Sequence, residues 1–211
     1  MAIATNNMVY LHIPKTGGTF IRNAFKTLDI NYVEIGNEHS RLPVVDKYVD
    51  DKRKEEILVW TVIRHPLTWY QSYWAYRLMI GWAPSHPLDR HCASNDFNVF
   101  VNNCLDFVTT GWVSKESMAY TYGIESYKKY YIGYYETLNN SFLTALRLSN
   151  INIEEQQLYR LTALNVSMLD GKKSYQIAKY NHDTYHRVME VERDFIYKYY
   201  NGYQFDPKQL F

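Results

Sequence analysis

The string KTGGT, Lys15 to Thr19, follows the apolar run MVYLHI near the start of the chain. Two adjacent glycines let a backbone curl tightly and approach a ligand closely, and successive amide groups in such a curl point into one concavity. If a helix begins there, its N-terminal dipole adds to the attraction for an anion. Thr16 and Thr19 bring hydroxyl donors, and Lys15 a full positive charge. The lysine precedes the glycines, so the string is not the nucleotide-binding G-x-x-x-x-G-K-[ST], and no G-x-G-x-x-G occurs either. The other residues with chemical potential are scattered. His182 and His186 stand at i, i+4, yet HDTYH lacks the metalloprotease glutamate and no third ligand follows from the spacing. Cys92 and Cys104 lack metal or redox spacing and read as free thiols of a reducing compartment.

The elements that must position the KTGGT string follow from hydrophobic periodicity. MVYLHI (8–13) reads as a buried strand, and Phe20, Ala24, Phe25 and Leu28 place a helix over 19–28. NYVEI (31–35) is a second short strand, and Pro43 opens a helix expected to reach about Lys54. ILVWTVI (57–63) is the strongest strand pattern; it ends at Arg64, and a helix opens near Pro66. Strand–loop–helix units in series predict a parallel α/β sheet, whose ligands gather beyond the carboxyl ends of its strands. The loops 14–19 and 64–66 are then expected on one edge. Farther on, Phe97, Phe100, Val101, Cys104, Leu105 and Val108 form a helical core stripe. YYIGYY (130–135) reads as a fourth strand before a helix over 136–148. Val188, Val191, Phe195 and Tyr199 mark a last helix, stopped at Gly202.

PKTGGT after an apolar strand resembles the 5′-phosphosulfate loop of sulfotransferases that use 3′-phosphoadenosine-5′-phosphosulfate (PAPS). The resemblance is closest to the branch with the carbohydrate 2-O-sulfotransferases and bacterial relatives. That family's second signature is an Arg at a strand end, a Pro two residues on and a Ser eight residues on, which bind the 3′-phosphate. RHPLTWYQSYW supplies Arg64, Pro66 and Ser72 at those positions, some fifty residues after the first motif. Many members carry a further Arg where this chain has Trp69, and a Tyr or Phe where it has Trp74. The resemblance implies one α/β domain over 1–211, with a central parallel sheet, flanking helices and a P-loop-like phosphosulfate loop. It implies an enzyme moving a sulfuryl group from PAPS to a hydroxyl acceptor, most simply on a saccharide or glycolipid, and releasing adenosine 3′,5′-bisphosphate (PAP). Lys15, Thr16, Gly17, Gly18 and Thr19 would hold the phosphosulfate, with Lys15 on the leaving oxygen, and Arg64 and Ser72 the 3′-phosphate; no metal is expected. Guanidinium geometry suits a phosphate bidentately. His39, after the second predicted strand, stands where that branch has its general base, and neighbouring Glu38 is the fallback. YYIGYYETLNNSFLTALR resembles the family's later strand–turn–helix, and LNVS its following loop. Lys172 and Lys173 read as a solvated basic turn or as cover for the 3′-phosphate. His12 reads as a core or supporting residue, and His65 as one that packs or caps.

Composition sets outer limits. A formal charge of +1 argues against a generally basic nucleic-acid binder but not against a local anion site. No apolar run is long enough to span a bilayer, and MAIATNN has no secretory pattern, so a cytoplasmic protein is expected. Tyrosine is abundant, 21 of 211 residues, either as half-buried core aromatics or as an acceptor groove for sugar rings. Two other functions fit the fold: a catalytically silent nucleotide- or glycan-binding module, and a small nucleotide kinase with a divergent loop. The region 81–125 carries no readable acceptor signature.

Overall fold

The structure, a computed structural model, describes residues 2–37, 39–49, 54–153, 157, 168–169 and 172–211. The chain divides into two compact units, one of residues 1–64 and 117–165 and the other of 65–116 and 166–211.

The first unit is built on a five-stranded sheet in the order β3-β1-β2-β4-β5. Its strands are β1 (Ala2–Ala4), β2 (Met8–Leu11), β3 (Val33–Ile35), β4 (Leu58–Ile63) and β5 (Lys129–Tyr134). β2, β4 and β5 run parallel, as their apolar runs predict, with Val9 opposite Val59 and Ile63 opposite Tyr134. The sheet is nevertheless mixed. β1, a stretch to which the sequence analysis assigned no element, pairs antiparallel with both β2 and β3. Ala-Ile-Ala is too short for a periodic signal, and it is held by its place between two partners.

All six residues of β4 are buried, so the sheet is covered on both faces. On one face Tyr10 and Trp60 pack with Phe20 and Phe25 of α1 (Gly18–Thr27) and with Phe142 of a later helix, Leu138–Leu148. On the other, Val9, Leu11 and Val59 meet Val45, Val49, Ile124 and Tyr127. The helix expected from Pro43 to Lys54 is shorter: α2 covers Leu42–Val45. Residues 50–53 lie outside the described part.

Among its described residues the second unit is helical, apart from a hairpin of β6 (Met168–Leu169) and β7 (Lys172–Lys173). Its helices are α3 (Pro66–Ile80), α4 (Pro87–Cys92), α5 (Phe97–Phe107), the start of α6 (Trp112–Thr121), and, after α7 (Leu138–Leu148) of the first unit, α8 (Ser174–Ile177), α9 (His182–Val191) and α10 (Arg193–Tyr200). The last predicted helix is thus two, with Glu192 at the junction. Trp69 and Trp74 lie in this unit's core. Trp69 stacks on Tyr73 with centroids 4.9 Å apart, and Trp74 Nε1 donates to the Ser94 carbonyl at 2.9 Å. Both cysteines are reduced and buried. No described helix is long and apolar enough to cross a membrane.

Candidate functional site

β1 runs antiparallel to both β2 and β3, so β3 shares the sense of β2, β4 and β5. The carboxyl ends of these four strands therefore fall on one edge of the first unit's sheet. From them emerge the loop 12–17, the loop 36–40, Arg64 and Tyr135. Open α/β sheets place their ligand sites at such an edge.

The loop after β2 turns through two left-handed residues, Lys15 at φ 64° and Gly17 at φ 94°. Left-handed residues alternating with right-handed ones turn successive amides toward a common point. Gly17 is the N-cap of α1 and gives no side-chain hydrogen bond, and the first turn holds no acidic residue. Each glycine has its own reason. At Gly17 the positive φ favours a residue without Cβ, and one placed there would also meet Leu138 Cδ2 at 2.5 Å. At Gly18 a Cβ would lie 1.9 Å from His12 Nε2, because the imidazole packs flat against that backbone. Lys15 is half-buried and Thr19 exposed. Thr16 is buried, and its hydroxyl donates to the Ile13 carbonyl at 2.8 Å, so its visible role is to close the turn. Below it the Tyr10 phenol is pushed up by burial, an effect that Thr16 and Arg22 partly offset.

Arg64 comes from the second motif and reaches the first. Its Nη1 donates to the Lys15 carbonyl at 3.0 Å, and its guanidinium lies over the Tyr135 ring at 3.7 Å. Strand register explains the stacking: Ile63 pairs with Tyr134, so the residues next in line are neighbours. The sequence reading missed Tyr135, since its position depends on which strand lies beside β4.

His39 also comes to this edge. Its Nδ1 lies 3.4 Å from the His12 carbonyl, and its ring centroid 5.1 Å from that of His12. A carbonyl only accepts, so the contact is a hydrogen bond in the Nδ1–H tautomer, the form whose lone pair is on Nε2. The His39 carbonyl accepts from Tyr120 Oη at 2.9 Å, a second support the sequence did not signal. Ser40 Oγ accepts from the Asn37 amide at 2.8 Å and donates to the Asn37 carbonyl at 3.1 Å, which closes the loop on itself. The fallback base Glu38 and the LNVS loop (164–167) lie outside the described residues.

Ser72 belongs to the second unit, buried on α3. At the start of that helix His65 is the N-cap, its Nδ1 accepting from the Leu67 amide at 3.2 Å. Burial lowers its pKa from 6.5 to about 3, which keeps the accepting lone pair in place. Lys172 and Lys173 are exposed on β7. His182 and His186 stack with centroids 6.3 Å apart. Comparison of the chain with protein-family models and with curated proteins finds no match, so the chemistry of this edge is argued from its own residues.

Proposed function

We propose that the chain is a PAPS-dependent sulfotransferase acting on a hydroxyl acceptor, a saccharide or glycolipid by the motif resemblance. The observation that carries the reading is the Arg64–Lys15 hydrogen bond, because it joins the two motifs on one sheet edge. The loop fits a phosphosulfate on physical grounds: paired left-handed residues, a helix start without side-chain cap or acidic neighbour, and a lysine within the turn.

When bound, PAPS supplies the sulfuryl group, which passes to an acceptor oxygen as its bond to the 5′-phosphate oxygen breaks. The protein's part is positioning and charge stabilisation, as in phosphoryl transfer. Lys15 and the amides of 16–19 hold the phosphosulfate, with the Lys15 ammonium stabilising the charge left on the bridging oxygen. Arg64, held flat by Tyr135, takes the 3′-phosphate and keeps the Lys15 turn closed. His39 Nε2 takes the acceptor proton, its Nδ1–H being given to the His12 carbonyl.

The experiment is transfer of labelled sulfate from PAPS to a panel of saccharide and glycolipid hydroxyls. Turnover by the unsubstituted chain, lost in His39→Ala while PAP still binds, is expected. PAP binding without turnover of any acceptor, unaffected by His39→Ala, would favour a silent binding module. Magnesium-dependent ATP binding in place of PAP would favour a kinase.

A further inference from the structure

His12 is 8% exposed and touches both halves of the proposed chemistry. Its imidazole occupies the space where Gly18 would carry a Cβ, with Nε2, Cδ2 and Cε1 all within 2.4 Å of that point. It also stacks loosely on Tyr10 (6.1 Å, 22°) and faces the His39 ring (5.1 Å, 55°), while its carbonyl meets His39 Nδ1. We infer that His12 is a positioning residue that sets the backbone of the anion loop and the ring orientation of His39 together. The ring is a spacer: on one side it fixes how close the start of α1 comes to β2, and on the other it limits the rotation of the His39 imidazole. A loop and a base held by one side chain keep their separation, which in-line transfer requires; misplacement of about 1 Å costs roughly 100-fold in rate. The inference rests on the sulfotransferase reading only for its turnover consequence.

The test therefore has two arms that need no substrate. In the first, imidazole ¹⁵N spectra of the intact protein, assigned with His39→Gln, report the His39 tautomer. The Nδ1–H form is expected in the unsubstituted chain, and a mixture of tautomers in His12→Ala. In the second, Gly18→Ala lowers the melting temperature of the parent chain but costs much less in a His12→Ala background, a coupling that a double-mutant cycle isolates. If His12→Ala does not fold, His12→Gln, which lacks the rigid ring, takes its place in the first arm, and His12→Val, which vacates the space of the outer ring atoms, in the second. In the turnover arm kcat falls roughly 10- to 100-fold. An unchanged His39 spectrum, or a Gly18→Ala cost that ignores His12, overturns the inference. Failure of PAP to bind the unsubstituted chain would instead sink the nucleotide reading, and the two substrate-free arms would still decide the role of His12.

Discussion

Among single residues, Lys15 and Arg64 carry the heaviest expectation. A charged hydrogen bond to a phosphate contributes about 1.5–3 kcal/mol, so Lys15→Ala and Arg64→Ala should each weaken PAP binding about 10- to 100-fold. Arg64→Lys should rescue little. An ammonium lacks the planar fork, and the contact over Tyr135 at 3.7 Å depends on a flat group. Calorimetric titration of the three variants reads both statements. Gly18→Ala is the steric counterpart, since it drives a methyl into His12. Overpacking of this kind costs about 1–3 kcal/mol, visible in chemical denaturation. That the Lys15 loop and Arg64 share one sheet edge was legible, because each follows directly on an apolar strand. Tyr135, Tyr120 and the contact of His12 with Gly18 were not, since each arises from neighbours far apart in the chain.

At the scale of elements, the long apolar strands and amphipathic helices were readable, and short ones were not. β4 and α5 declare themselves by an unbroken run and by a helical stripe. β1 has three residues, and α2 ends after four. The expected parallel sheet is mixed for that reason, although the sense of β3 still brings His39 to the predicted edge. Abundant tyrosine also finds a physical account in part. Tyr70, Tyr73, Tyr120, Tyr127 and Tyr180 are buried core rings whose hydroxyls donate to Glu192, Asp89, the His39 carbonyl, Asp46 and the Leu67 carbonyl. Glu192 had no sequence signal. It is fully buried, accepts from Tyr70, from Ser114 Oγ and from the amides of Val113 and Ser114, and so caps the start of α6. Burial raises its carboxyl, and those donors partly offset the shift. Glu192→Ala strands buried neutral donors, at about 1–3 kcal/mol for a donor left unsatisfied, measurable as a lower denaturation midpoint.

The cap of α3 gives a prediction in pH. His65 has a folded pKa of about 3 against an ordinary 6.5. Below 6.5 the unfolded chain therefore binds a proton that the folded chain refuses. The stabilisation is complete above that pH and declines as pH falls toward 3, by at most about 1.4 kcal/mol per unit. His65→Asn keeps an N-cap acceptor without titrating in this range. Relative to it, the parent chain should lose stability faster between pH 6.5 and 4. Parallel slopes for the two proteins would contradict a buried neutral His65.

For the molecule as a whole, a formal charge of +1 offers little long-range attraction for anions, so the proposed nucleotide would be held by local groups. A nucleotide that binds only the folded chain stabilises it by about 2.7 kcal/mol at one hundred times its Kd. PAP should therefore raise the melting temperature in buffer with chelator and no magnesium. The central claim is that KTGGT and Arg64 form one nucleotide clamp, and the most direct measurement of it is calorimetric titration of PAP into the intact chain. The account predicts micromolar binding without metal, sharply weakened in both Lys15→Ala and Arg64→Ala. Absence of binding to the unsubstituted chain, or binding that neither substitution disturbs, would contradict it.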